Sequence, residues 1–523
     1  MARPGAGVIA VNLFSLPRLS APSIPDFRRS LVELARDWAG LLVAIPLALI
    51  VGLVIGTGSI KLVAIVATLL IAVASLFISL QWVVWLTIGL TFLIVGPINY
   101  FFGIGALRWV PFLAGLLLYV RVLLHLLKPQ PARPPFPAFL WALFFYLSVF
   151  FLTTVINQPP IYPLFLAARN YLFLWGLFFA LAFVSFPESL FPKIWRALIG
   201  VAMIQFPFAV YQYFVVAANR IDSTRWDAVI GTFFGEQSGG GDSGGMALFL
   251  VMIVTTAVAL WRRKVFGTGA LVVLILLATG TILLAEVKVV LLLIPLAFIT
   301  LYRSDIVRRP LESLVIGTLV FAALAAVVLV YKQIHMSSAE GGRNITLEKQ
   351  LEVMTKFSFA TTAIAPSGEM GRGAALAFWW SKSSLADDPL RVLLGYGPGA
   401  SRGGDIYDTG VAAKRFYPYN IDASAATVLL WELGVVGFIG FIAVLVLGIH
   451  AARRLRRSPN IPLIHVALLE ASVPALVLNL ATVPYNTNAV ASASAQILVA
   501  LLLGHIAYWH LRVGSQRVIA KSV

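Results

Sequence analysis

The feature that most restricts the fold of this chain is a series of apolar runs, each about 20 residues long, separated by short polar or basic stretches. A helix of that length crosses the ~30 Å hydrocarbon core of a bilayer, whereas a strand of an outer-membrane barrel needs only ~10 alternating residues. Of all residues, 60% are hydrophobic and only 12% are charged, where soluble domains carry about 25% charge. We therefore predict an all-α, polytopic membrane protein.

The apolar runs predict about fourteen transmembrane helices. They lie near residues 39–57, 60–79, 82–99, 106–126, 138–156, 164–184, 195–217, 246–261, 268–285, 287–302, 312–331, 424–449, 462–483 and 489–509. No cleavable signal peptide is expected, because the early run "VIAVNLF" is short and has no basic region before it.

The formal net charge of +17 has a topological explanation. Lys and Arg accumulate in short cytoplasmic loops of membrane proteins. The basic clusters fall at every second connection and in the tail, at Arg262, Arg263 and Lys264, at Arg303, Arg308 and Arg309, at Arg453, Arg454, Arg456 and Arg457, and at Arg512, Arg517 and Lys521. Both termini are thus predicted to be cytoplasmic, and most of the basic excess is explained without nucleic acid as a partner.

The same count divides the chain into five parts. Residues 1–38 form a cytoplasmic segment with an interfacial helix at 25–38, 39–331 hold about eleven transmembrane helices, 332–423 form a periplasmic loop, 424–511 hold the last helices, and 512–523 are a cytoplasmic tail. A structureless loop of about ninety residues is improbable in a compact protein. The stripe in "TLEKQLEVMTKF" and the stretch Met370–Leu385 both predict helices within that loop.

The sequence lacks the motifs of several common catalytic sites. It has no GxxxxGK[ST] loop for ATP, no HExxH motif, no cysteine, and no Asp-x-Asp pair in a folded cytoplasmic domain that would hold a metal and a nucleotide sugar. We therefore expect neither a cofactor nor a metal site, and the energy of any reaction must come from an activated substrate.

Three basic residues lie at or near the predicted outer face: Arg169 in "LAARNYLF", Lys288 in "LLAEVKVVLL" and Arg372 in "GEMGRGAALAFWW". Cations held at a membrane face suit a lipid pyrophosphate, because guanidinium groups bind phosphate oxygens in forked pairs and stabilise charge on a departing pyrophosphate. Structural alternatives remain for each. Arg169 can be a snorkelling or internally paired arginine, Lys288 can pair with Glu286, and Arg372 can be a solvated loop charge.

Other polar features of the outer loop carry less information. The stretch "GYGPG", which includes Gly397, is by itself a turn with glycines that tolerate positive φ, and only a weak indication of a phosphate cradle. Asp405, Asp408 and Asp422 can each be merely solvated. His335 is the only histidine in either long outer loop, and a bystander role fits it best.

A set of motifs in fixed order resembles a known family. "AARNYLFL", "GTFFGEQSGG", "LLAEVKVV", "GRGAALAFWW", "DDPLRVLLGYGPG" and "IDASAATVLLWELGVVGFIGFI" together resemble the O-antigen ligase and polysaccharide polymerase superfamily of membrane glycosyltransferases, over residues 150–450. The most specific part is the GR…W and P…GxGPG couplet followed by the xELGxxGxxxF helix. The resemblance implies a fold like that of the polyprenyl-phosphate glycosyltransferases, with Arg169, Lys288 and Arg372 as the residues that bind the lipid pyrophosphate.

One departure from the family pattern concerns the catalytic base. The ligases of this family usually carry a His-Asn pair about ten residues before the Glu of the ELG segment, and here "DAS", Asp422 to Ser424, takes that place. The departure favours a polymerase in which Asp422 orients or deprotonates the acceptor hydroxyl. Trp379, Trp380 and Tyr396 would line a groove for sugar.

The resemblance therefore implies a metal-independent, inverting polymerase of undecaprenyl-pyrophosphate-linked repeat units in the bacterial inner membrane. Its partners would be the lipid-linked oligosaccharide, membrane lipid, a chain-length regulator and export proteins. Two alternatives remain open at this stage. One is a ligase that moves finished glycan to a lipid or protein acceptor, and the other is a flippase or transporter, although the chain shows no internal repeat of the kind typical of transporters.

Overall fold

A computed structural model describes residues 78–128, 134–219, 228–237, 240–318, 355–404 and 409–522, with a few isolated positions besides. Most of these residues are helical, and the only β-structure among them consists of isolated bridges. The named helices belong to one compact unit, Ile71–Val523. The predicted all-α class is therefore confirmed for the part of the chain that the structure describes.

Fifteen helices of the described residues define the architecture, some of them containing a short π or 3-10 segment. They are α1 (Leu80–Phe102), α2 (Gly105–Leu126), α3 (Ala138–Asn157), α4 (Ile161–Phe183), α5 (Leu190–Val216), α6 (Ser243–Arg262), α7 (Thr268–Leu284), α8 (Val290–Arg308), α9 (Arg372–Lys382), α10 (Pro389–Leu394), α11 (Val411–Arg415), α12 (Ala425–Leu455), α13 (Leu463–Thr482), α14 (Asn488–Ala491) and α15 (Ala493–Ser522).

Ten of these helices are long and apolar enough to cross a membrane: α1 to α6, α8, α12, α13 and α15. Helix α7 is apolar but shorter. The predicted spans 138–156 and 462–483 agree with α3 and α13 to within one residue at each end. The predicted spans 39–57 and 60–79, most of 312–331 and the interfacial helix 25–38 lie outside the described residues.

The helices pack as a bundle around α6, which contacts α5, α7, α8, α13 and α15. Helix α12 packs along α3, and α4 packs between α2 and α15. Large apolar side chains also cover the outside of the bundle, such as Trp141, Phe151 and Val155 of α3, each more than half exposed. A surface of this kind would be a liability in water but is the expected lipid-facing surface of a membrane bundle.

One end of the bundle is tied by ion pairs between basic helix ends and neighbouring carboxylates. Arg262, at the end of α6, pairs with Asp305 of α8, and Arg263 pairs with Glu470 of α13 at 3.0 Å. The beginning of α6, at Ser243, lies about 30 Å away, because twenty helical residues rise 1.5 Å each. The basic end and the start of α6 therefore lie on opposite faces of the bundle.

The segment that connects α8 to α12 packs its described part against the start of α12. Trp379 of α9 and Val392 of α10 share a small hydrophobic core with Trp431 of α12. The predicted helix Met370–Leu385 is present as the shorter α9. Most of the predicted helix in "TLEKQLEVMTKF" lies outside the described residues.

Candidate functional site

Two sequence motifs, GYGPG and the ELG of α12, meet in a joint whose bonded residues Gly399 and Glu432 are 33 residues apart. The Glu432 carboxylate accepts hydrogen bonds from the Gly399 amide at 2.8 Å and from Ser401 Oγ at 2.7 Å. The Gly397 amide also donates to the Glu432 carbonyl at 3.0 Å. Glu432 is only 3% exposed, so the joint provides buried partners for a carboxylate that would otherwise be costly to bury.

The glycines of this joint permit close approach of two backbones. Gly434 has φ +67°, and a Cβ there would lie 2.3 Å from the carbonyl oxygen of Leu393. Gly395 has φ +68°, and its Cβ would lie 2.6 Å from the backbone carbonyl of Glu432. Only glycine fits both the left-handed conformation and the space. Gly395 is therefore required by its packing against α12, whereas a Cβ at Gly397, which has φ +95°, would lie 2.9 Å from the side chain of Asn157 in α3.

A cavity of about 310 Å³ is lined by residues of α1, by the beginnings of α2, α6 and α15, and by Arg169 of α4. The charged side chains among its described lining residues are Arg108, Arg169 and Asp242, and polar side chains are supplied by Thr91, Asn488, Ser492 and Ser494. Arg108 is exposed, whereas Arg169 is only 6% exposed. The cavity thus joins a buried cation to the surface at the end of the bundle opposite the ion-paired end.

Arg169 has no carboxylate partner among the described residues. Its Nε donates to Asn170 Oδ1 at 3.1 Å, and its Nη1 is buried without a hydrogen-bond partner. The guanidinium carbon lies 4.6 Å from the centroid of the Trp109 ring and 5.1 Å from that of Phe112. Burial of a charge without a carboxylate partner costs several kcal/mol, so an anionic ligand in this cavity would be bound favourably by Arg169.

Arg402 adds a third positive charge. It follows the GYGPG loop, and both it and Arg108 lie close enough to Arg169 for their charges to repel. Its Nε is buried and has no hydrogen-bond partner in the described part of the chain. Because Glu432 binds Gly399 and Ser401, the joint fixes the position from which Arg402 approaches Arg169.

Arg372 lies beside the cavity rather than in its wall. Its Nε donates to the Tyr485 carbonyl at 2.6 Å, and its guanidinium carbon is 4.4 Å from the centroid of the Tyr485 ring. Seven residues further along the chain, Ser492 lines the cavity. Arg372 therefore supports the segment that forms one wall, and it makes no salt bridge with a described carboxylate.

Two carboxyls lie near these arginines. Asp422 lies near Arg402, and burial raises its pKa, an effect partly offset by its own backbone amide, by Arg402 and by the Gly403 amide. Asp242, the N-cap of α6, accepts hydrogen bonds from the Gly245 amide at 3.0 Å, from Ser494 Oγ at 2.8 Å and from Ser492 Oγ. Burial raises the pKa of Asp242 to about 6, despite these three donors.

The remaining predicted site residues are dispersed. Lys288 pairs with Glu286 at 3.1 Å, which is the structural alternative foreseen for it, and it does not line the cavity. Trp379 is buried in the small core, whereas Trp380 is 75% exposed. The Tyr396 ring lies between two arginines, with the guanidinium carbons of Arg391 and Arg415 at 4.9 Å and 5.7 Å from its centroid.

Sequence reasoning missed Arg108, Arg402, Asp242 and Glu432. Asp242 could have been identified from the sequence as a helix N-cap, since it is a single acid between two glycine runs directly before a transmembrane helix. A search against protein-family models finds no match for this chain, and a comparison with curated proteins finds none either. The resemblance to membrane glycosyltransferases therefore stays a prediction, and any function must be argued from the residues of the cavity.

Proposed function

We propose that the protein is a membrane glycosyltransferase that polymerises polyprenyl-pyrophosphate-linked oligosaccharide repeat units. The observation that carries the proposal is a cavity lined by buried Arg169 and by Arg108, with Arg402 close to Arg169 and with Arg169 Nη1 without a described hydrogen-bond partner. A pyrophosphate supplies several oxygens for forked guanidinium bonds. Three fixed cations would also stabilise the charge that develops when the pyrophosphate leaves.

The surroundings of the cavity suit the two ends of such a donor. Phe102 is 73% exposed just before the start of α2, and Ile161, 85% exposed, begins the helix that carries Arg169. These apolar surfaces suit a polyprenyl chain lying in the lipid. Trp380, which is 75% exposed on α9, offers an aromatic face to sugar rings.

The proposed reaction transfers the growing glycan from its pyrophosphate carrier to a sugar hydroxyl of the next lipid-linked unit. The hydroxyl oxygen attacks the anomeric carbon from the side opposite the pyrophosphate, with inversion and without a metal ion. Arg169, Arg108 and Arg402 hold the departing polyprenyl pyrophosphate. Arg372 positions the wall of the site through Tyr485, and its remaining N–H groups are proposed to bind phosphate oxygens of the donor.

The experiment that tests the function uses the full chain, purified and reconstituted with a lipid-linked repeat unit as the only substrate. A polymerase builds a ladder of longer products, and a chelator leaves that ladder unchanged. A ligase gives product only when a second acceptor is added and leaves chain length unchanged. Headgroup movement across the vesicle with no new glycosidic bond would show a flippase and overturn the proposal.

The proposal places the cavity at the periplasmic face, and cysteine labelling tests this because the native chain has no cysteine. Ser381 is exposed on α9, and Ser458 lies between α12 and α13 at the ion-paired end. We expect Ser381→Cys to react with an impermeant maleimide in intact cells and Ser458→Cys to react only after lysis. The reverse pattern would show the opposite orientation.

A second prediction concerns Arg372. We expect Arg372→Ala to lower transfer about 10²-fold, because it removes a phosphate contact and loosens the wall at Tyr485. Arg372→Lys should recover only part of the rate, since an ammonium keeps the charge but not the forked geometry. Initial rates at saturating donor measure the effect, and full activity of Arg372→Ala would remove this residue from the site.

A further inference from the structure

The arginine cavity contains an acid as well as cations. Asp242 lies in the same wall as Ser492 and Ser494, and it shares the cavity with Arg108 and Arg169. It is the only carboxyl among the described lining residues. A binding site for pyrophosphate alone would gain nothing from a carboxylate, because the two anions would repel each other.

We propose that Asp242 is the general base that takes the proton of the acceptor hydroxyl, in the cavity where Arg169 and Arg108 hold the donor pyrophosphate. This assignment rests on the proposed function and extends it. Asp242 takes this role in place of Asp422, which lies near Arg402 and is not among the lining residues of the cavity.

The step balances with these groups alone. The acceptor O–H bond breaks, its proton goes to an Asp242 oxygen, and its electron pair forms the new bond to the anomeric carbon. The bond between that carbon and the pyrophosphate oxygen breaks, and its electron pair leaves with the polyprenyl pyrophosphate. Asp242 then loses the proton to water, and no oxidant, reductant or metal is needed.

Hydrogen bonds hold Asp242 in place for this role. Gly245 binds Oδ1, and the hydroxyls of Ser492 and Ser494 bind Oδ2. Burial alone raises its pKa, and the serines and the Gly245 amide lower it, which leaves the pKa at about 6. A carboxyl with this pKa is mostly ionised at neutral pH and still basic enough to accept a proton.

The charges that face Asp242 decide how its pH dependence should respond to mutation. Across the described lining they are Arg108 of α2 and Arg169 of α4, and both are cations at every relevant pH. The neighbouring groups of α15 and of the residues before it are the neutral Ser492 and Ser494. We therefore expect the acid limb of the pH–rate profile to follow Asp242 and not these neighbours.

The test compares Asp242→Asn, Ser494→Ala and Asp422→Asn with the wild type in the ladder assay. We expect Asp242→Asn to lower the transfer rate about 10² to 10⁴-fold. Binding of the lipid-linked unit, measured by titration of the reconstituted protein, should not weaken by more than about threefold, because removal of the carboxylate takes away a repulsive charge. An absent ladder in wild type refutes the proposed function instead, so the two failures are distinguishable.

Ser494→Ala supplies a readout that a merely structural role would not produce. Loss of a donor to the carboxylate raises the pKa of Asp242, so the base stays protonated to higher pH and the acid limb of the profile moves upward. A structural defect would lower the rate equally at all pH values. Near-wild-type activity of Asp242→Asn, an unmoved acid limb in Ser494→Ala, or an acid limb lost only in Asp422→Asn would each overturn the assignment.

Discussion

Arg169→Ala is expected to remove nearly all glycosyl transfer while leaving the protein as stable as the wild type or more stable. The guanidinium is buried with Nη1 unpartnered and no carboxylate partner among the described residues. Its removal eliminates a desolvation cost that no described carboxylate offsets. The same group is proposed to stabilise the charge of the departing pyrophosphate, and loss of one such donor lowers kcat about 10² to 10³-fold.

Two measurements on the same preparation check this prediction: the initial rate with the lipid-linked unit and the midpoint of thermal unfolding. Arg169→Lys should regain only a fraction of the rate. Arg309→Ala is the matched control, because that arginine is exposed, pairs with Glu312 and lies at the end of the bundle with the ion pairs. A large fall in the unfolding midpoint of Arg169→Ala would indicate a structural arginine.

The second large effect is expected at the joint between the GYGPG loop and α12. A side chain at Gly434 meets both a left-handed backbone conformation and the carbonyl of Leu393 at 2.3 Å. Strain and overpacking together should cost about 2 to 5 kcal/mol. We therefore expect Gly434→Ala to lower the unfolding midpoint and, by displacing Arg402, to lower activity as well.

Gly200→Ala provides the matched control for this substitution. Gly200 lies within α5, and nothing stands within 4 Å of a Cβ built there. Alanine in a helix interior is more stable than glycine by roughly 0.5 to 1 kcal/mol, so this variant should unfold at an unchanged or higher temperature. Equal midpoints for the two variants would contradict the close approach at the joint.

The spans could be predicted from sequence because bilayer thickness sets their length independently of neighbouring helices. This is why α3 and α13 were placed to within a residue, and why Arg169 was identified as an unusual cation inside an apolar helix. Helix α9 was also predicted, since its apolar residues recur with helical spacing. These are local patterns, readable from one segment at a time.

The contents of the cavity could not be predicted in this way. Arg108 and Arg169 lie sixty residues apart, and only the packing of α2 against α4 brings them to one cavity. Adjacent tryptophans show the same limit, because Trp379 and Trp380 look equivalent in sequence, yet one is buried and the other exposed. The sequence allowed two roles for Lys288, a pyrophosphate ligand or an ion pair with Glu286, and the 3.1 Å distance to Glu286 supports the ion pair.

The joint at Glu432 has a consequence for the exchange of parts between related proteins. A graft that replaces only residues 332–423 would separate the GYGPG loop from its partners Glu432 and Gly434 in α12. The foreign loop would then have to pack against a carboxylate and a glycine whose positions fit the original loop. The natural unit of exchange instead runs through the start of α12, past Gly434. Substrate specificity determined by that loop should therefore be transferred from one protein to another only together with the first turns of a transmembrane helix.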